Sequence, residues 1–258
     1  MNSHLTKLIK LIVGYTLYYT GITAIRRRIV QRNKAIVLMY HRVLDETKED
    51  VSGIHPGMFV TTRSFEKHIQ YMKKAYTVIN LIDLMKWIEG EVRYDKPPCV
   101  ITFDDGWIDN YTYAFPLLQK YDVPATIFLI TEQMGNKQML TWEHVRNMET
   151  QGVCFGSHTA NHKVLTKCNE KVIEKELVDS KTKLTSNVSN PITWFCYPKG
   201  QYNSAVVALV KKHYSAALTT ERGEVAKESN LYTLPRVGIH NDVSWLTPLF
   251  ACRLDRLF

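Results

Sequence analysis

The chain has 258 residues, of which 45% are hydrophobic and 22% are charged, so its composition is that of a globular protein and excludes a disordered one. This length can hold one large α/β domain with a substantial core. The net charge of +8 favours anionic partners such as phospholipid headgroups or acidic glycans, but no recognised nucleic-acid-binding motif accompanies it, so nucleic acid is not an expected partner. Five cysteines without a Cys-x-x-Cys pair argue against a disulfide framework and favour a reducing compartment.

The first predicted element is an apolar segment from Leu8 to Ile25, followed directly by Arg26-Arg27-Arg28. Its uninterrupted part is shorter than the roughly 20 residues that a spanning helix needs, and no small-residue cleavage site precedes the basic cluster. We interpret residues 1–35 as a basic, apolar, membrane-associating segment, either a surface helix or a marginal span. An ordinary first helix packed on the domain is the alternative. If the segment spans, the basic cluster favours the cytoplasmic face for the domain that follows, and a periplasmic or extracellular location stays open.

Predicted strands alternate with predicted helices in residues 36–258, which we interpret as one domain. Apolar runs that end in turns indicate the strands, and periodic apolar residues indicate the helices, one with Ser64 as its expected N-cap and another ending at Gly90. Such alternation predicts an α/β fold with parallel strands and outer helices, and in barrels of this type the active site lies at the C-terminal ends of the strands. The predicted strands cover residues 36–40, 99–101, 125–130, 153–155, 191–194 and 215–219.

The pentapeptide Thr102-Phe103-Asp104-Asp105-Gly106 follows one of these apolar runs. Two adjacent carboxylates at the end of a buried strand are costly unless something pairs with them, and a metal ion is the usual partner. Neighbouring residues of an extended chain point in opposite directions, so one aspartate could bind a metal while the other moves a proton. An ordinary Asp-Asp-Gly turn is the alternative that the pentapeptide by itself leaves open.

Two histidines four residues apart, His158 and His162, follow the predicted strand at 153–155. On a helical turn or in a tight loop, this spacing brings both imidazoles to one side. Imidazoles are common transition-metal ligands, and two of them with one carboxylate form a familiar open site. A pair of solvated loop histidines is the alternative, but the earlier pair of aspartates favours the interpretation as ligands.

A third segment, Phe195-Cys196-Tyr197-Pro198-Lys199-Gly200, again follows a predicted strand. Pro198 and Gly200 fix a loop that could aim a backbone N–H at a substrate oxygen. If this segment stood alone, a plain proline-containing turn would be the better interpretation.

Together, the three segments resemble the motifs of the polysaccharide deacetylase family, also called carbohydrate esterase family four. Residues 102–106 match the family's Thr-Phe-Asp-Asp-Gly motif, residues 158–162 match its His-Ser/Thr-x-x-His motif, and residues 195–200 match its aromatic-Pro-x-Gly loop. The resemblance covers residues 36 to 240, and it implies a distorted, incomplete (β/α) barrel with parallel strands and outer helices.

The resemblance also implies a role for each matching residue. Asp105, His158 and His162 would be the metal ligands, and Asp104 would be the general base. The backbone amide of Lys199 would donate to the oxyanion. The implied cofactor is a divalent ion, with zinc expected and cobalt, nickel or iron as alternatives.

Two positions depart from the family pattern. Many members have an arginine where this chain has Cys196, and that arginine steadies the catalytic aspartate; Arg236 could replace it from another strand. The family's late Leu-x-His motif, which supplies a general acid, is degraded here, and His240 is the candidate that remains, with an exposed loop histidine as the alternative. His41, which follows the first strand, could contact substrate, orient a ligand or be a core histidine.

The implied function is a metal-dependent hydrolase that removes N-acetyl groups from amino sugars of a surface polysaccharide or its lipid-linked precursor. Residues 39–43 are similar to those of the family branch that acts on exported or capsular glycans. The expected partners are therefore an N-acetylated glycan, free or lipid-linked, and, through the N-terminal segment, a membrane surface. Removal of O-acetyl groups, or a catalytically silent glycan-binding or scaffold protein, are the alternatives that the departures leave open.

Overall fold

Ten β-strands lie within residues 3–257, the part of the chain that the computed structural model describes, apart from the side chains of residues 3–5 and 7. Residues 1, 2 and 258, at the outer ends of the two predicted units, lie outside the described residues. The strands are β1 (Ile36–Tyr40), β2 (Arg42–Leu44), β3 (Phe59–Thr61), β4 (Thr77–Val78), β5 (Pro98–Phe103), β6 (Ala125–Leu129), β7 (Val153–Ser157), β8 (Trp194–Cys196), β9 (Ala216–Arg222) and β10 (Leu234–Gly238).

Seven of these strands close into a parallel barrel. Their order is β1, β10, β9, β8, β7, β6 and β5, and β5 pairs with β1 from Ile36 opposite Cys99 to Tyr40 opposite Phe103. The short strand β4 pairs with the beginning of β5, and β2 and β3 form a separate parallel pair. The prediction of an incomplete (β/α) barrel is therefore confirmed, with seven strands in the closed ring.

Helices surround the barrel, and most of them connect successive strands. A π-helical turn, Asn110–Ala114, precedes α5, whose first turn contains Pro116, so the helical segment after β5 is divided in two. The helices are α1 (Ser3–Tyr19), α2 (Ile22–Val30), α3 (Thr62–Ala75), α4 (Leu81–Glu89), α5 (Phe115–Tyr121), α6 (Trp142–Glu149), α7 (Glu170–Thr185), α8 (Ser204–His213), α9 (Asn241–Ser244) and α10 (Thr247–Leu254).

Two predicted boundaries are wrong and one is confirmed. The N-cap of α3 is Thr61, whose hydroxyl accepts a hydrogen bond from the Ser64 N–H at 3.1 Å, because Thr61 leaves β3 extended and offers the capping oxygen three residues earlier. Strand β8 begins at Trp194 and not at Pro191, since proline has no N–H for a sheet ladder. Helix α4 ends as predicted at Gly90, which has a left-handed φ of 83°.

The barrel interior changes from apolar to polar along the strands. Alternate strand residues such as Val37, Val100 and Phe128 pack in one core cluster with Leu84 and Trp87 of α4. The same alternation along β5 and β10 brings polar residues inward near the C-terminal ends of the strands. These are Thr102, Asp104 and Arg236, all of them buried.

The N-terminal segment folds as the two helices α1 and α2. No single helix within residues 3–257 is both long and apolar enough to cross a membrane. The two helices would reach that length and apolarity only together, and a bend of 69° separates them.

His68 of α3 predicts a pH-dependent loss of stability. Its ring stacks on Phe250 and hydrogen-bonds to the Tyr40 hydroxyl and the Ser244 carbonyl, and burial lowers its pKa to about 4 from 6.5. Protonation between these values favours the unfolded chain, so the free energy of unfolding is highest above pH 6.5 and falls as the pH drops towards 4, by about 3 kcal/mol. Urea unfolding should show a flatter pH dependence for His68→Gln than for the wild type. His55→Gln, at an exposed position, is the control. If the free energy of unfolding of His68→Gln depends on pH as steeply as that of His55→Gln, His68 is not the group responsible.

Candidate active site

The two aspartates after β5 have different surroundings. The Asp104 N–H donates to the Tyr40 carbonyl of β1 at 2.9 Å, which continues the sheet pairing. Asp105 then takes a left-handed φ of 76° and Gly106 one of 83°, so the chain turns sharply. Aspartate is one of the few residues besides glycine that tolerate this region, whereas a Cβ at position 106 would come within 2.7 Å of the Leu129 side chain. The backbone therefore fixes where each carboxylate lies.

The two histidines after β7 converge on Asp105. The Nε2 atoms of His158 and His162 lie 3.6 Å and 3.7 Å from the Asp105 Oδ1. The Nδ1 of His158 lies 2.8 Å from the Cys196 carbonyl oxygen, which turns its Nε2 towards Asp105. His162 has a left-handed φ of 57° in a tight loop, and its N–H donates to the Thr159 hydroxyl at 2.9 Å.

This triad fits a divalent transition-metal ion. Its three ligand atoms all lie within 4.8 Å of one another, and the two distances above are close to the separation of about 3.4 Å expected between ligands of a tetrahedral zinc site. The Asp105 Oδ2 accepts a hydrogen bond from the Trp107 indole at 3.0 Å, which leaves Oδ1 for an ion. Burial, and then the neighbouring His158, lowers the pKa of His162 to about 4, so its ring is neutral and a competent ligand at neutral pH.

Asp104 forms a buried, bidentate ion pair with Arg236. The Nη1 and Nη2 of Arg236 donate to the two carboxylate oxygens of Asp104 at 2.8 Å and 2.7 Å. Arg236 also donates to the Thr219 carbonyl at 2.8 Å and to the Thr102 hydroxyl at 3.1 Å. Burial raises the pKa of the Asp104 carboxyl, but the Arg236 guanidinium outweighs it and holds that pKa well below its usual range. Asp104 is therefore an oriented carboxylate at physiological pH.

Cys196 completes this cluster but does not make a second metal site. Its Sγ lies 3.6 Å from the Asp104 Oδ2 and 3.0 Å from the Arg236 Nη2, and with His158 these groups form a second possible ligand set. Burial raises the pKa of the Cys196 thiol well above its usual value, and the Arg236 guanidinium, 3.0 Å from its Sγ, would repel a metal ion there. Both Asp104 oxygens are engaged by Arg236. The donor chemistry therefore favours the triad of Asp105, His158 and His162.

The loop that contains the third motif, residues 195–200, packs closely against β9. Lys199 has a left-handed φ of 56° in a short 3-10 turn, Pro198–Gly200. A Cβ on Gly200 would come within 2.0 Å of the Thr220 hydroxyl, so only glycine fits there. This contact fixes the loop, and with it the direction of the Lys199 peptide, beside the strand end that carries Cys196.

Two further histidines lie at strand ends on this face. His240, just after β10, has its Nδ1 paired with the Asp242 carboxylate. His41 follows β1. Burial raises the pKa of the Asp104 carboxyl, and Arg236, then His158 and last His41 lower it. The sequence placed His41 after the first strand, but it could not show that this strand pairs with both β5 and β10. Sequence reasoning also missed Trp107 as the residue that orients the Asp105 carboxylate.

Comparison with known proteins identifies the family. Residues 91–217 match the sequence profile described as polysaccharide deacetylase. A Bacillus subtilis protein named as a polysaccharide deacetylase, YxkH, is 30% identical over 213 residues, which cover 82% of this chain and 73% of that protein. The chain belongs to the polysaccharide deacetylase family.

Two further polysaccharide deacetylase relatives cover most of the chain. A poly-beta-1,6-N-acetyl-D-glucosamine N-deacetylase of Staphylococcus epidermidis is 29% identical over 235 residues, 82% of this chain and 81% of that protein. The structure of the Streptococcus pyogenes deacetylase PplD in complex with acetate is similar with a TM-score of 0.76 at 28% identity, over 82% of this chain and 94% of that one. The barrel and its strand-end motifs are thus features that the chain shares with a family of hydrolases.

Removal of one imidazole of the triad should abolish metal retention. His162→Ala leaves two ligands. We expect zinc affinity to fall at least about 100-fold, because such sites hold the ion with three protein ligands. Titration calorimetry with zinc, or metal analysis after dialysis, measures this. The exposed-site variant His55→Ala is the control and should bind zinc like the wild type. Equal zinc binding by both variants would show that the ion is held elsewhere.

Proposed function

We propose that the protein is a metal-dependent hydrolase that removes N-acetyl groups from amino sugars of a surface polysaccharide or of its lipid-linked precursor. The observation that carries the proposal is the position of an oriented carboxylate, Asp104, one residue from a three-ligand metal triad. The name of the Staphylococcus epidermidis relative, an N-deacetylase of poly-N-acetylglucosamine, supports the N-acetyl substrate class. A protein that only binds glycan needs no fixed base beside a metal site.

Asp105, His158 and His162 would hold the ion. When bound, a divalent ion such as zinc supplies a Lewis acid and lowers the pKa of a water from about 15.7 towards 7, so that a nucleophile is available near neutral pH. The three residues leave a coordination position open for this purpose, as catalytic sites of this type do. Everything else in the reaction has to come from side chains and peptide groups of this chain.

Asp104 would accept the proton of the attacking water. Arg236 holds both carboxylate oxygens, so the carboxylate cannot rotate away; the Oδ2 also accepts from the Cys196 thiol, and the Oδ1 is the oxygen that would take the proton. Its lowered pKa makes Asp104 a weak base that orients the water and releases the proton readily to the next acceptor. The Lys199 peptide N–H, in its fixed left-handed turn, would donate to the developing oxyanion, an interaction typically worth about 2.7–4 kcal/mol.

A general acid has to protonate the leaving amine, and two histidines compete for this role. His240 is the residue that the family pattern indicates, and its Nδ1 is paired with the Asp242 carboxylate. His41 is the alternative, because it follows β1, which lies between the strands of Asp104 and Arg236. An experiment has to decide between them.

Asp104→Asn should separate chemistry from metal binding. Acetate release from N-acetylglucosamine oligomers should fall by at least about 100-fold in kcat, while zinc binding stays near the wild-type level, because the amide keeps the shape but cannot take a proton. Asp95→Asn, at an exposed position, is the matched control. Near-normal turnover of Asp104→Asn would refute the base assignment. A wild type that releases acetate only from O-acetylated oligomers would refute the N-deacetylase proposal.

The general acid can be identified with two substrates that differ in leaving group. An amine must be protonated to leave, whereas 4-nitrophenolate leaves unaided, so loss of the acid should reduce glycan deacetylation by about 100-fold and spare 4-nitrophenyl acetate hydrolysis. We expect His240→Ala to show this pattern and His41→Ala to affect both substrates alike. The reverse result would assign the acid to His41, and no selective loss in either variant would contradict both assignments.

A further inference from the structure

Helix α2 packs on the domain through its polar face and exposes its apolar face, the reverse of a typical helix of a soluble domain. Its inward side is polar: Thr23 and the C-cap residue Gln31 are buried, and the Arg27 side chain between them is 12% exposed. Arg27 donates to the Tyr71 hydroxyl at 2.7 Å, and its guanidinium also lies over the Tyr76 ring. A helix that packs on a core normally buries its apolar stripe, so another environment has to account for the apolar residues of this one.

Those apolar residues face outward. Ile22, Ile25 and Ile29 form one stripe of α2 and are 42%, 56% and 73% exposed. On α1, Ile12 and Tyr19 are 59% and 73% exposed. Ten of the thirteen exposed large hydrophobic side chains among the described residues belong to these two helices, which we call the apolar face: Leu8, Ile9, Ile12, Val13, Tyr15, Tyr19, Ile22, Ile25, Ile29 and Val30. A concentration of exposed apolar side chains on two adjacent helices is typical of an interaction surface.

All charged side chains in the N-terminal part of the sequence are basic. Residues 1–44 contain eight lysines and arginines and no aspartate or glutamate, so they carry the whole net charge of +8 while the remainder of the chain is balanced. Lys10, Arg28 and Arg32 are exposed next to the apolar residues. Aliphatic residues flanked by exposed cations and by tyrosines match the interface of a membrane with anionic headgroups.

The surface beside α1 adds to this charge. A cavity of about 610 Å³ lies between α1, α3 and the α9–α10 region, with Leu11 and Leu246 among its apolar residues. Its charged lining is mainly basic, comprising Lys10, Arg63, Lys67 and Arg253 against Glu46 and Asp242. An anionic headgroup next to α1 would therefore meet favourable charge.

Polar contacts of α2 and its C-cap residue hold this helix against the barrel domain. Gln31 donates to the Glu224 carboxylate and to the Leu254 carbonyl, both at 3.0 Å, and Arg26 pairs with Glu224 at 3.4 Å. Insertion of the segment across a bilayer would break these buried contacts. We propose that α1 and α2 form an in-plane anchor, whose apolar face enters the headgroup boundary of one leaflet of an anionic phospholipid membrane while the polar inner face stays bound to the barrel.

Vesicle sedimentation with the full-length chain tests this anchor independently of catalysis. We expect the wild type to bind vesicles of phosphatidylcholine and phosphatidylglycerol, and Ile25→Ser/Ile29→Ser to partition at least about tenfold more weakly, because two aliphatic side chains are lost from the buried face. The control Ile82→Ser/Val178→Ser removes aliphatic residues that are 45% and 39% exposed on α4 and α7, and it should bind like the wild type. Circular dichroism and acetate release from soluble oligomers should be unchanged in both variants.

Charge variants and the oligomeric state complete the test. Arg28→Gln/Arg32→Gln should weaken binding to anionic vesicles by about fivefold per residue and have little effect with pure phosphatidylcholine. Wild-type protein that does not bind anionic vesicles, or equal binding by the Ile25→Ser/Ile29→Ser variant, would overturn the proposal. The wild type could instead be a dimer that does not bind vesicles and that the Ile25→Ser/Ile29→Ser substitutions convert to a monomer. That result would show that a second copy covers the apolar face, and it would also overturn the membrane-anchor proposal.

Discussion

The buried pair of Asp104 and Arg236 is the constraint around which the active face is arranged. Arg236 is fully buried and reaches from β10 to β5, where it satisfies both carboxylate oxygens and takes two further acceptors, the Thr219 carbonyl and the Thr102 hydroxyl. Removing one member of such a pair typically costs about 3–5 kcal/mol, because the other charge stays buried and unpaired. The pair can form because β1 lies between β5 and β10 and pairs with both strands.

The metal triad follows from the same arrangement. With Asp104 held in the barrel, the left-handed turn at the next residue gives Asp105 its separate position beside the histidines of the β7 loop. The Cys196 carbonyl of β8 orients His158, so residues at the ends of β5, β7 and β8 define the triad. The Cys196 thiol contacts both members of the ion pair, with its Sγ 3.6 Å from the Asp104 Oδ2 and 3.0 Å from the Arg236 Nη2.

The sequence predicted what depends on local order and missed what depends on distant contacts. The aspartates and the two histidines were found because each motif directly follows an apolar strand. By contrast, the Arg236 partner of Asp104 is 132 residues away, and it was predicted only through the family pattern, because no local signal marks it. The Ser64 cap was misplaced because two hydroxyl residues compete within one turn. The sequence also could not predict that α2 buries its polar face, because the partners of that face, Glu224 and Tyr71, lie far along the chain.

Anomalous diffraction at the zinc edge, from crystals grown with zinc, tests the central claim most directly. The account predicts one strong peak about 2.0–2.2 Å from the Asp105 Oδ1 and from the Nε2 atoms of His158 and His162. It also predicts that the Asp104 carboxylate, still paired with Arg236, makes no bond to that ion. No peak at the triad in zinc-loaded crystals, or a peak against Cys196 and Asp104, would contradict the account.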